Sequence, residues 1–564
     1  MKLRRLQIEN FRGITSLDME IGDTTVLIGE NNTGKTAMLD ALRFALRDVR
    51  SRRGCAFDAY DFHLKDAKSE PSMAPAISIC LTFREDEPNE WDKQLIGTMS
   101  RSQILQTDTN GRMCIMLKVG ARFDTGTQEF IHDWEFRNLT GAPLTTYADS
   151  ALSIFRNEVS YYYLSALRDA AKHFDDKGIF WRPFLKESQL TQENREKIEK
   201  ILAEVNQLIV SSHVNFSQVV EKLREINEVV SMGGDHDLVS IDAVPGRLFD
   251  VLAKAQLNLN TGTGAKIPVG RHGEGMQSLA VLTLFNAFLQ TWNKGTAIVA
   301  MEEPEAHLHP SAVRALWKLI ERIPGQKIIS THSGDLLSEV PSEVVTRLHK
   351  RAGTVEAACL KNADLNADET RKFDFHIRRT RGDLLFAKCW ILGEGETEAT
   401  LISECARVLK DDLERIGIRF VTCQTGISPA LGLKVANCMG IDWVVLADND
   451  QQGKNYHKAV RDHLDGRVEN EVLFTMKEKD IEHYLCANGF LDVYLGLLGD
   501  QPIKKVDALP DDPKYPEQIA DALPKNQKTK AVQKVLEAIG GDPLNVPSLF
   551  RDVIDAAIKL AKIE

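Results

Sequence analysis

Apolar residues occur along this chain in short runs that end abruptly in polar or charged residues. The clearest runs cover residues 24–28, 296–301, 327–332, 386–392 and 443–447. Continuous apolar runs of this length are typical of strands buried in a parallel sheet, whereas partial alternation indicates antiparallel strands. Partial alternation occurs at residues 77–83 and 114–119, within a segment, 58–135, that we predict to be rich in β-structure. The pattern predicts an α/β protein.

Residues 189–230 follow a different, helical period. Apolar side chains recur there at helical spacing in two groups: Ile198, Ile201, Leu202, Val205, Leu208 and Ile209, then Phe216, Val219, Val220, Leu223, Ile226 and Val230. Spacings of three and four residues place side chains on one face of a helix. We therefore predict a helical hairpin inserted between the strands. It is either a compact dimerisation element or an ordinary packed helical subdomain, and the sequence leaves both open.

A glycine-rich octapeptide follows the first apolar run directly. Residues 29–36 read Gly-Glu-Asn-Asn-Thr-Gly-Lys-Thr, and residues 37–42 continue as a mostly apolar helix. Strand, glycine-rich turn and helix form the context that identifies a P-loop. We predict that Lys35 pairs with the β- and γ-phosphates of ATP and that Thr36 binds Mg²⁺. The backbone N–H groups predicted to hold the phosphates belong to Asn31, Asn32, Thr33, Gly34 and Lys35.

Acidic residues end the run at 296–301 and supply the expected partners of the P-loop. Glu302 and Glu303 come directly after this strand, and His332 ends the next strand along the chain. One acid at such a strand end can hold Mg²⁺, and the next can polarise the attacking water. We assign Glu302 to the metal, Glu303 to the general base and His332 to contact with the γ-phosphate.

A second glycine-rich loop, residues 270–278, precedes an apolar helix at 279–289. It resembles a degenerate form of the signature loop of ABC ATPases, which caps the nucleotide of the opposite subunit. The resemblance implies that ATP lies between two heads and that the protein is a homodimer or larger assembly. The residues expected to contact nucleotide are Gly273, Gly275 and Gln277.

Two acid pairs follow strands in the second half of the chain. Glu394 lies just past the run at 386–392, and Glu398 follows on the first turn of the next helix. Asp448 and Asp450 end the run at 443–447. Strands alternating with helices predict a parallel sheet whose carboxyl ends meet at one edge, so both pairs should lie together. Clustered carboxylates predict a Mg²⁺ site, with Mn²⁺ or Ca²⁺ as alternatives, suited to phosphodiester cleavage.

A third acidic element and two lysines could complete this site. Asp480 and Glu482 follow further along the chain and are candidates for a second metal position. A lysine near the metals could neutralise the phosphate that is cut. The candidates are Lys528 and Lys530, and we choose Lys530. The whole arrangement resembles the Toprim domain of topoisomerases, primases and certain nucleases.

The composition of the chain limits the classes of protein to which it can belong. The 564 residues imply several domains, because a single core rarely exceeds about 300 residues. The nine cysteines are scattered without a Cys-x-x-Cys pair, which disfavours both zinc and a disulfide framework. With neither an apolar signal core nor a run long enough to span a membrane, we expect a soluble, cytoplasmic protein. The net charge of −11 argues against a general polyanion binder, although the basic stretch 376–381 could contact phosphates.

Taken in this order, the P-loop head, the run 302–310 (Glu-Glu-Pro-Glu-Ala-His-Leu-His-Pro) and the Toprim pattern resemble the OLD (overcoming lysogenisation defect) family. Residues 163–169 and 374–376 also look familiar from that family. The resemblance implies an ATPase and nuclease, often acting in bacterial defence against phage. Some members work alone, and others pair with a helicase-like protein or with a retron.

The predicted fold is an α/β chain: an ABC-type ATPase head with a helical insertion, followed by a Toprim nuclease domain. The predicted segments are 1–165 and 241–360 for the head, 166–240 for the insertion, 361–384 for a linker and 385–564 for the Toprim domain. The main hypothesis is an ATP-regulated, metal-dependent DNA endonuclease. The alternatives are a nucleotide-sensing scaffold that cuts only with a partner or trigger, and a nuclease that cuts RNA.

Overall fold

A computed structural model describes residues 1–49, 55–66, 68–164, 191–212, 258–260, 266–292, 295–351, 353–380, 382–423, 427–498 and 506–562. The chain divides into two compact units. The first comprises Met1–Leu164, Gly295–Glu305 and Gly325–Glu564, and the second comprises Ser165–Lys294 and Ala306–Pro324. The P-loop and the acid pairs that follow strands in the second half of the chain all belong to the first unit. The second half of the predicted hairpin, residues 213–230, lies outside the described residues.

The strands of the described residues alternate with helices along most of the chain. The strands are β1 Leu3–Phe11, β2 Ile14–Glu20, β3 Thr24–Ile28, β4 Ile77–Arg84, β5 Gln106–Thr107, β6 Met113–Asp124, β7 Glu129–Arg137, β8 Val159–Leu164, β9 Asn258–Asn260, β10 Lys266–Pro268, β11 Thr296–Glu302, β12 Gln326–Ser330, β13 Val345–Arg351, β14 Thr354–Cys359, β15 Cys389–Gly393, β16 Ile418–Thr422, β17 Asp442–Ala447 and β18 Leu473–Thr475.

The α-helices of the same residues are mostly short. They are α1 Lys35–Arg43, α2 Lys93–Arg101, α3 Ala151–Glu158, α4 Gln192–Ser212, α5 Glu274–Trp292, α6 Pro310–Glu321, α7 Gly334–Leu337, α8 Ala367–Arg379, α9 Glu396–Val408, α10 Leu413–Ile416, α11 Pro429–Cys438, α12 Gly453–Asp462, α13 Glu469–Val472, α14 Ile481–Leu485, α15 Leu491–Leu497, α16 Tyr515–Ala522, α17 Lys528–Ile539 and α18 Ser548–Ala561.

The N-terminal part of the first unit contains an antiparallel sheet. Its strands lie in the order β2-β1-β4-β6-β5, and β7 pairs with β6. Every second residue of β4 is buried, namely Ile77, Ile79, Leu81 and Phe83. This period of two puts one face of the sheet against the core and confirms the predicted β-rich segment.

A second, mainly parallel sheet positions the P-loop. Its order is β14-β13-β3-β12-β11-β8, and only the β13–β14 pair is antiparallel. Residues 297–301 of β11 and all of β12 are buried, as expected of strands covered on both faces. Because β3, β12 and β11 are neighbouring parallel strands, the P-loop, the acids after β11 and His332 after β12 meet at one edge.

A third sheet, entirely parallel, carries the acid pairs that follow β15 and β17. Its order is β16-β15-β17-β18. Both tryptophans of its central strands, Trp390 and Trp443, are completely buried. The helices α9, α14, α17 and α18 share one apolar core with this sheet. The parallel order brings the carboxyl ends of β15 and β17 side by side, as predicted for the Toprim-like half.

A buried arginine joins the second and third sheets within the first unit. The Arg347 guanidinium on β13 donates to the carbonyls of Met439, Gly440 and Ala387 at 3.0, 2.7 and 2.9 Å. Its side chain is almost fully buried, and this burial lowers the pKa of Arg347 to about 10. A charged group at this depth is held by its hydrogen bonds, so Arg347 ties β13 to the residues that precede β15 and β17.

The residues predicted as a linker, 361–384, contain helix α8. A capping box between Asn366 and Glu369 starts this helix, and Phe373 and Ile377 are buried on one face. These two residues are four positions apart, so they share a helix face. The link between the head and the Toprim-like half is therefore ordered and packed rather than extended.

The second unit contains the signature-like loop. Helix α5 begins at Glu274 and covers the apolar helix predicted at 279–289. Helix α4 carries the first half of the predicted hairpin, and four of its apolar side chains are exposed: Ile201, Val205, Leu208 and Ile209. None of the described helices is long and apolar enough to cross a membrane.

Candidate functional sites: a P-loop centre and an acidic cluster

The backbone of the P-loop has the shape that its glycines predict. Gly29 has a φ of 144°, and a Cβ there would lie 2.3 Å from the Leu348 carbonyl oxygen. Gly34 has a φ of 96° and precedes the first turn of α1. Only glycine tolerates such angles and such close backbone approach without strain. Both glycines are therefore required by the backbone of this turn.

Lys35 is folded back onto its own loop. Its ammonium donates to the carbonyls of Gly29 and Glu30, both at 2.7 Å. Burial lowers the pKa of Lys35 to about 8, although the nearby Glu303 and Glu30 oppose this shift. The ammonium therefore lies beside the loop where phosphates would bind, held by neutral oxygens that an anionic phosphate would outcompete.

The predicted Mg²⁺ ligands of the head contact one another. The Thr36 hydroxyl donates to one oxygen of Glu302, and the Tyr163 hydroxyl donates to the other at 2.7 Å. Tyr163 lies on β8, which pairs in parallel with β11 and so ends at the same edge. Tyr163 belongs to the run 163–169 that resembles the OLD family, but no role was predicted for it. Only the order of the strands brings Tyr163 to Glu302.

Glu303 and His332 face each other across the ends of β11 and β12. The nearest oxygen of Glu303 lies 3.9 Å from Nε2 of His332. Glu303 has a φ of 43°, and its N–H donates to the Ser330 carbonyl at 2.9 Å. Burial and the nearby Lys35 lower the pKa of His332, which favours the neutral imidazole. The predicted base and the predicted γ-phosphate contact therefore lie together beside Lys35.

Glu305 stabilises the chain around His332, and no role was predicted for it from the sequence. Its Oε1 accepts from the Thr331 hydroxyl at 2.5 Å and from the His332 N–H at 3.2 Å. These bonds anchor the backbone of His332, and burial raises the pKa of Glu305. The sequence did contain a signal, since Glu305 ends the quoted Glu-Glu-Pro-Glu run.

The signature-like loop belongs to the second unit. Gly273 and Gly275 lie around the start of α5, and the Gln277 side chain donates to the His272 carbonyl at 2.7 Å. A Cβ on Gly275 would lie 3.0 Å from the His307 carbonyl oxygen, so a larger residue would crowd that turn. The role of these three residues at a nucleotide of another subunit stays a prediction.

The first acid pair of the Toprim-like half lies at the end of β15. Glu394 follows the last residue of the strand and is half-buried. Glu398 is buried on the first turn of α9, where its carboxylate accepts from the Gly395 N–H at 2.9 Å. Burial raises the pKa of Glu398, and the charges of Glu394 and Glu482 raise it further. The positive end of α9 partly offsets this repulsion.

The second acid pair lies at the end of β17. Asp450 accepts from the Gly453 N–H at 2.7 Å, and a Cβ on Gly453 would fall 1.8 Å from the Asp448 carbonyl oxygen. Burial, followed by the charges of Glu398, Glu394, Asp480 and Asp450, raises the pKa of Asp448 to about 8. The acids after β15 thus lie close enough to Asp448 for their charges to raise its pKa, as the parallel sheet predicted.

The third acidic element joins the same cluster. Asp480 caps α14 and accepts from the His483 N–H at 3.1 Å and from its imidazole. Burial alone would raise the pKa of Asp480, but the bonds from His483 outweigh it and lower the pKa to about 2. The other nitrogen of His483 lies 3.3 Å from Asp521. His483 was not among the predicted site residues, although it ends the Asp-Ile-Glu-His run that contains Asp480 and Glu482.

Of the two candidate lysines, the structure pairs Lys528 with the cluster rather than the predicted Lys530. The Lys528 ammonium lies 2.8 Å from the buried carboxylate of Glu482. Both residues are on the first turn of α17. Two positions along a helix differ by about 200°, so the two side chains point to opposite faces. The choice depended on the face that α17 turns to the sheet, which the sequence does not reveal.

The donor set of this cluster suits a hard divalent cation. Carboxylate oxygens are the ligands that Mg²⁺, Mn²⁺ and Ca²⁺ prefer, and the raised pKa of Asp448 reflects negative charge that a cation would neutralise. Within the described ranges, no group of three or more acidic, histidine or cysteine side chains is already closed into a ligand shell.

The fold and these two centres define the class: an ABC-type P-loop ATPase head joined to a Toprim domain. The family model described as a protein of unknown function (DUF2813) matches residues 1–383. The model of the Toprim domain of overcoming lysogenization defect-like proteins matches residues 385–450. The chain belongs to the DUF2813 family and carries an OLD-like Toprim domain, which confirms the family resemblance.

Three relatives span most of this chain. The uncharacterized protein YbjD of Escherichia coli K12 is 30% identical over 514 residues, covering 88% of each chain. Endonuclease GajA of Bacillus cereus VD045 is 25% identical, covering 82% of this chain and 78% of its own. The OLD nuclease of Thermus scotoductus is 26% identical, covering 79% of this chain and 82% of its own. The chain is therefore similar to named nucleases along both halves.

Proposed function

We propose that this protein binds and hydrolyses ATP at the P-loop and cuts DNA at the acidic cluster with a divalent metal ion. The observation that carries the proposal is a cluster of six acids, with Lys528 paired to one of them: Glu394, Glu398, Asp448, Asp450, Asp480 and Glu482. Burial and the charges of neighbouring acids raise the pKa of Asp448, and a bound cation would relieve this repulsion. The names of the relatives GajA and OLD nuclease support nucleic-acid cleavage as the reaction.

At the head, each side chain has a definable task. Lys35 would exchange its carbonyl partners for the β- and γ-phosphates, and Glu302 with Thr36 would hold Mg²⁺. Glu303 would take a proton from the attacking water. The neutral His332 would donate a hydrogen bond to the γ-phosphate. The nucleotide contacts of Asn31, Asn32, Thr33 and Gly34 are proposed through their N–H groups.

At the acidic cluster, a bound Mg²⁺ or Mn²⁺ would activate water and stabilise the oxygen that leaves in phosphodiester cleavage. The proposed metal ligands are Glu394, Glu398, Asp448, Asp450, Asp480 and Glu482. Glu394 and Asp448 would lie nearest to the reacting phosphate, and Lys528 would neutralise its charge. His483 would orient Asp480 through the hydrogen bonds already present.

The proposed assembly and the proposed biological role rest on the family resemblance. We propose a homodimer or larger assembly, in which Gly273, Gly275 and Gln277 reach the nucleotide of the opposite subunit. We also propose a role in bacterial defence against phage, alone or with a helicase-like or retron partner. A scaffold that cuts only with a partner is the second candidate.

Cleavage of supercoiled plasmid tests the proposal. Purified protein is incubated with Mg²⁺ or Mn²⁺, with and without ATP, beside Glu394→Ala. Glu396→Ala is the matched control, because this exposed acid lies only two residues away, at the first position of α9. Metal-dependent cutting by the wild type and by Glu396→Ala, absent in Glu394→Ala, supports the nuclease. Equal cutting by all three contradicts it, and no cutting by any of them favours the partner-dependent scaffold.

A further inference from the structure

One short segment, Asp383–Lys388, contacts the ATP centre and leads directly into the strand that carries Glu394. The segment is a 3₁₀ turn, Asp383–Phe386, followed by Ala387 and Lys388, and β15 begins at the next residue. All of it belongs to the first unit. The segment therefore touches the ATP centre through side-chain contacts and is joined covalently to the strand that precedes Glu394.

The first contact is made by the ring of Phe386. Its plane is stacked on the imidazole of His332 with a centroid distance of 6.5 Å and an interplanar angle of 13°. Offset stacking at this separation restrains the orientation of a ring. Phe386 therefore restrains the plane of the His332 imidazole on the face that it covers.

The second contact is an ion pair from the other end of the segment. The Lys388 ammonium lies 3.2 Å from the carboxylate of Glu30, and Glu30 is a P-loop residue whose carbonyl accepts from Lys35. A nucleotide phosphate would draw Lys35 away from that carbonyl. A shift of the loop at Glu30 would then reach Lys388 directly.

The far end of the segment is anchored by two backbone hydrogen bonds. The Lys388 N–H donates to the Gly417 carbonyl at 2.7 Å, and the Lys388 carbonyl accepts from the Asp442 N–H at 3.0 Å. Every residue of β15 is buried, and a close-packed strand resists bending. Glu30, Phe386 and Lys388 also line a cavity of about 610 Å³, which leaves room for the segment to shift.

We propose that Phe386 and Lys388 are positioning residues that couple occupancy of the ATP site to the geometry of the acidic cluster. Phe386 orients the imidazole of His332, and Lys388 moves with the carboxylate of Glu30. Because both residues lie just before β15, a movement of either one shifts this strand and therefore Glu394. This inference rests on the proposed function of the P-loop and extends it to communication between the two centres.

Hydrogen exchange measured on the full-length protein, with and without ATP and Mg²⁺, tests the coupling without requiring cleavage. In the wild type, ATP should change the exchange of peptides covering residues 29–42 and also of peptides covering 383–398. In Phe386→Ala and Lys388→Ala, the change at 29–42 should persist and the change at 383–398 should fall by at least half. The conservative variants Phe386→Tyr and Lys388→Arg should restore it.

Two matched controls separate coupling from general damage. Phe375→Ala removes a phenylalanine that is 62% exposed, and Lys372→Ala breaks a surface ion pair with Asp368. Both should keep the wild-type response. Phe386→Ala should also lower kcat of ATP hydrolysis on the order of tenfold with little change in KM, because it misorients His332 rather than weakening binding.

Three results would overturn the inference. The response at 383–398 could survive in Phe386→Ala and Lys388→Ala, or it could be absent in a wild type whose P-loop peptides respond to ATP. Either result leaves ATP binding intact and removes only the coupling. If wild-type P-loop peptides do not respond to ATP at all, the proposed ATP site fails, and the coupling fails with it.

Discussion

Replacing Lys528 or Lys530 by alanine distinguishes two lysines that the sequence treats alike. Lys528 lies 2.8 Å from Glu482 in the acidic cluster, whereas Lys530 lies two positions further along α17, about 200° around the helix. A cation about 4 Å from a phosphate at an effective dielectric of about 20–40 contributes roughly 2–4 kcal/mol. If that charge acts in the transition state, Lys528→Ala should reduce the cleavage rate about 30- to 1000-fold.

The effect on folding should be much smaller. The Lys528 side chain is 47% exposed, so its ion pair with Glu482 contributes at most about 1 kcal/mol after solvent screening. Plasmid-nicking rates with Mg²⁺, measured beside thermal unfolding, separate the two effects. Lys530→Ala should cut at the wild-type rate, and Lys528→Arg should recover part of the loss. Equal losses in Lys528→Ala and Lys530→Ala, or full activity of Lys528→Ala, would refute the assignment.

Three further substitutions test the head and its junction. Glu303→Gln should bind ATP but hydrolyse it about 100- to 1000-fold more slowly in single-turnover assays, and an unchanged rate would exclude Glu303 as the base. Tyr163→Phe should raise the Mg²⁺ concentration for half-maximal hydrolysis about tenfold, because Glu302 loses a hydrogen bond; an unchanged Mg²⁺ dependence would contradict this role. Arg347→Ala should destabilise the first unit by about 3 kcal/mol in thermal unfolding, whereas removing the 80% exposed Arg371 should have little effect.

Local sequence patterns were sufficient for the elements that carry chemistry. The run 24–28 and the glycines after it could be recognised because a P-loop needs a specific backbone, and Gly29 and Gly34 have the positive φ values that glycine tolerates. The strands before Glu302, Glu394 and Asp448 could be recognised because burial on both faces leaves a continuous apolar run. Parallel pairing then brings their carboxyl ends together without further information.

Features that depend on the packing of distant elements could not be predicted. The choice of Lys528 requires knowledge of which face of α17 meets the sheet. Tyr163 reaches Glu302 only because β8 is the neighbour of β11. Arg347 resembles a surface arginine in its sequence, yet it is buried by residues about ninety positions away. Each of these features depends on a tertiary contact, which the local spacing of apolar residues does not reveal.

The central claim is that one chain holds two chemically separate centres, and paired assays on the same preparations test it directly. ATP hydrolysis and plasmid cleavage would be measured for the wild type, Lys35→Ala and Asp448→Ala, with circular dichroism to verify folding. We predict that Lys35→Ala abolishes ATP binding or hydrolysis, and that Asp448→Ala abolishes cleavage while hydrolysis survives. Loss of both activities in a folded Asp448→Ala variant, or cleavage that survives this substitution, would contradict the account.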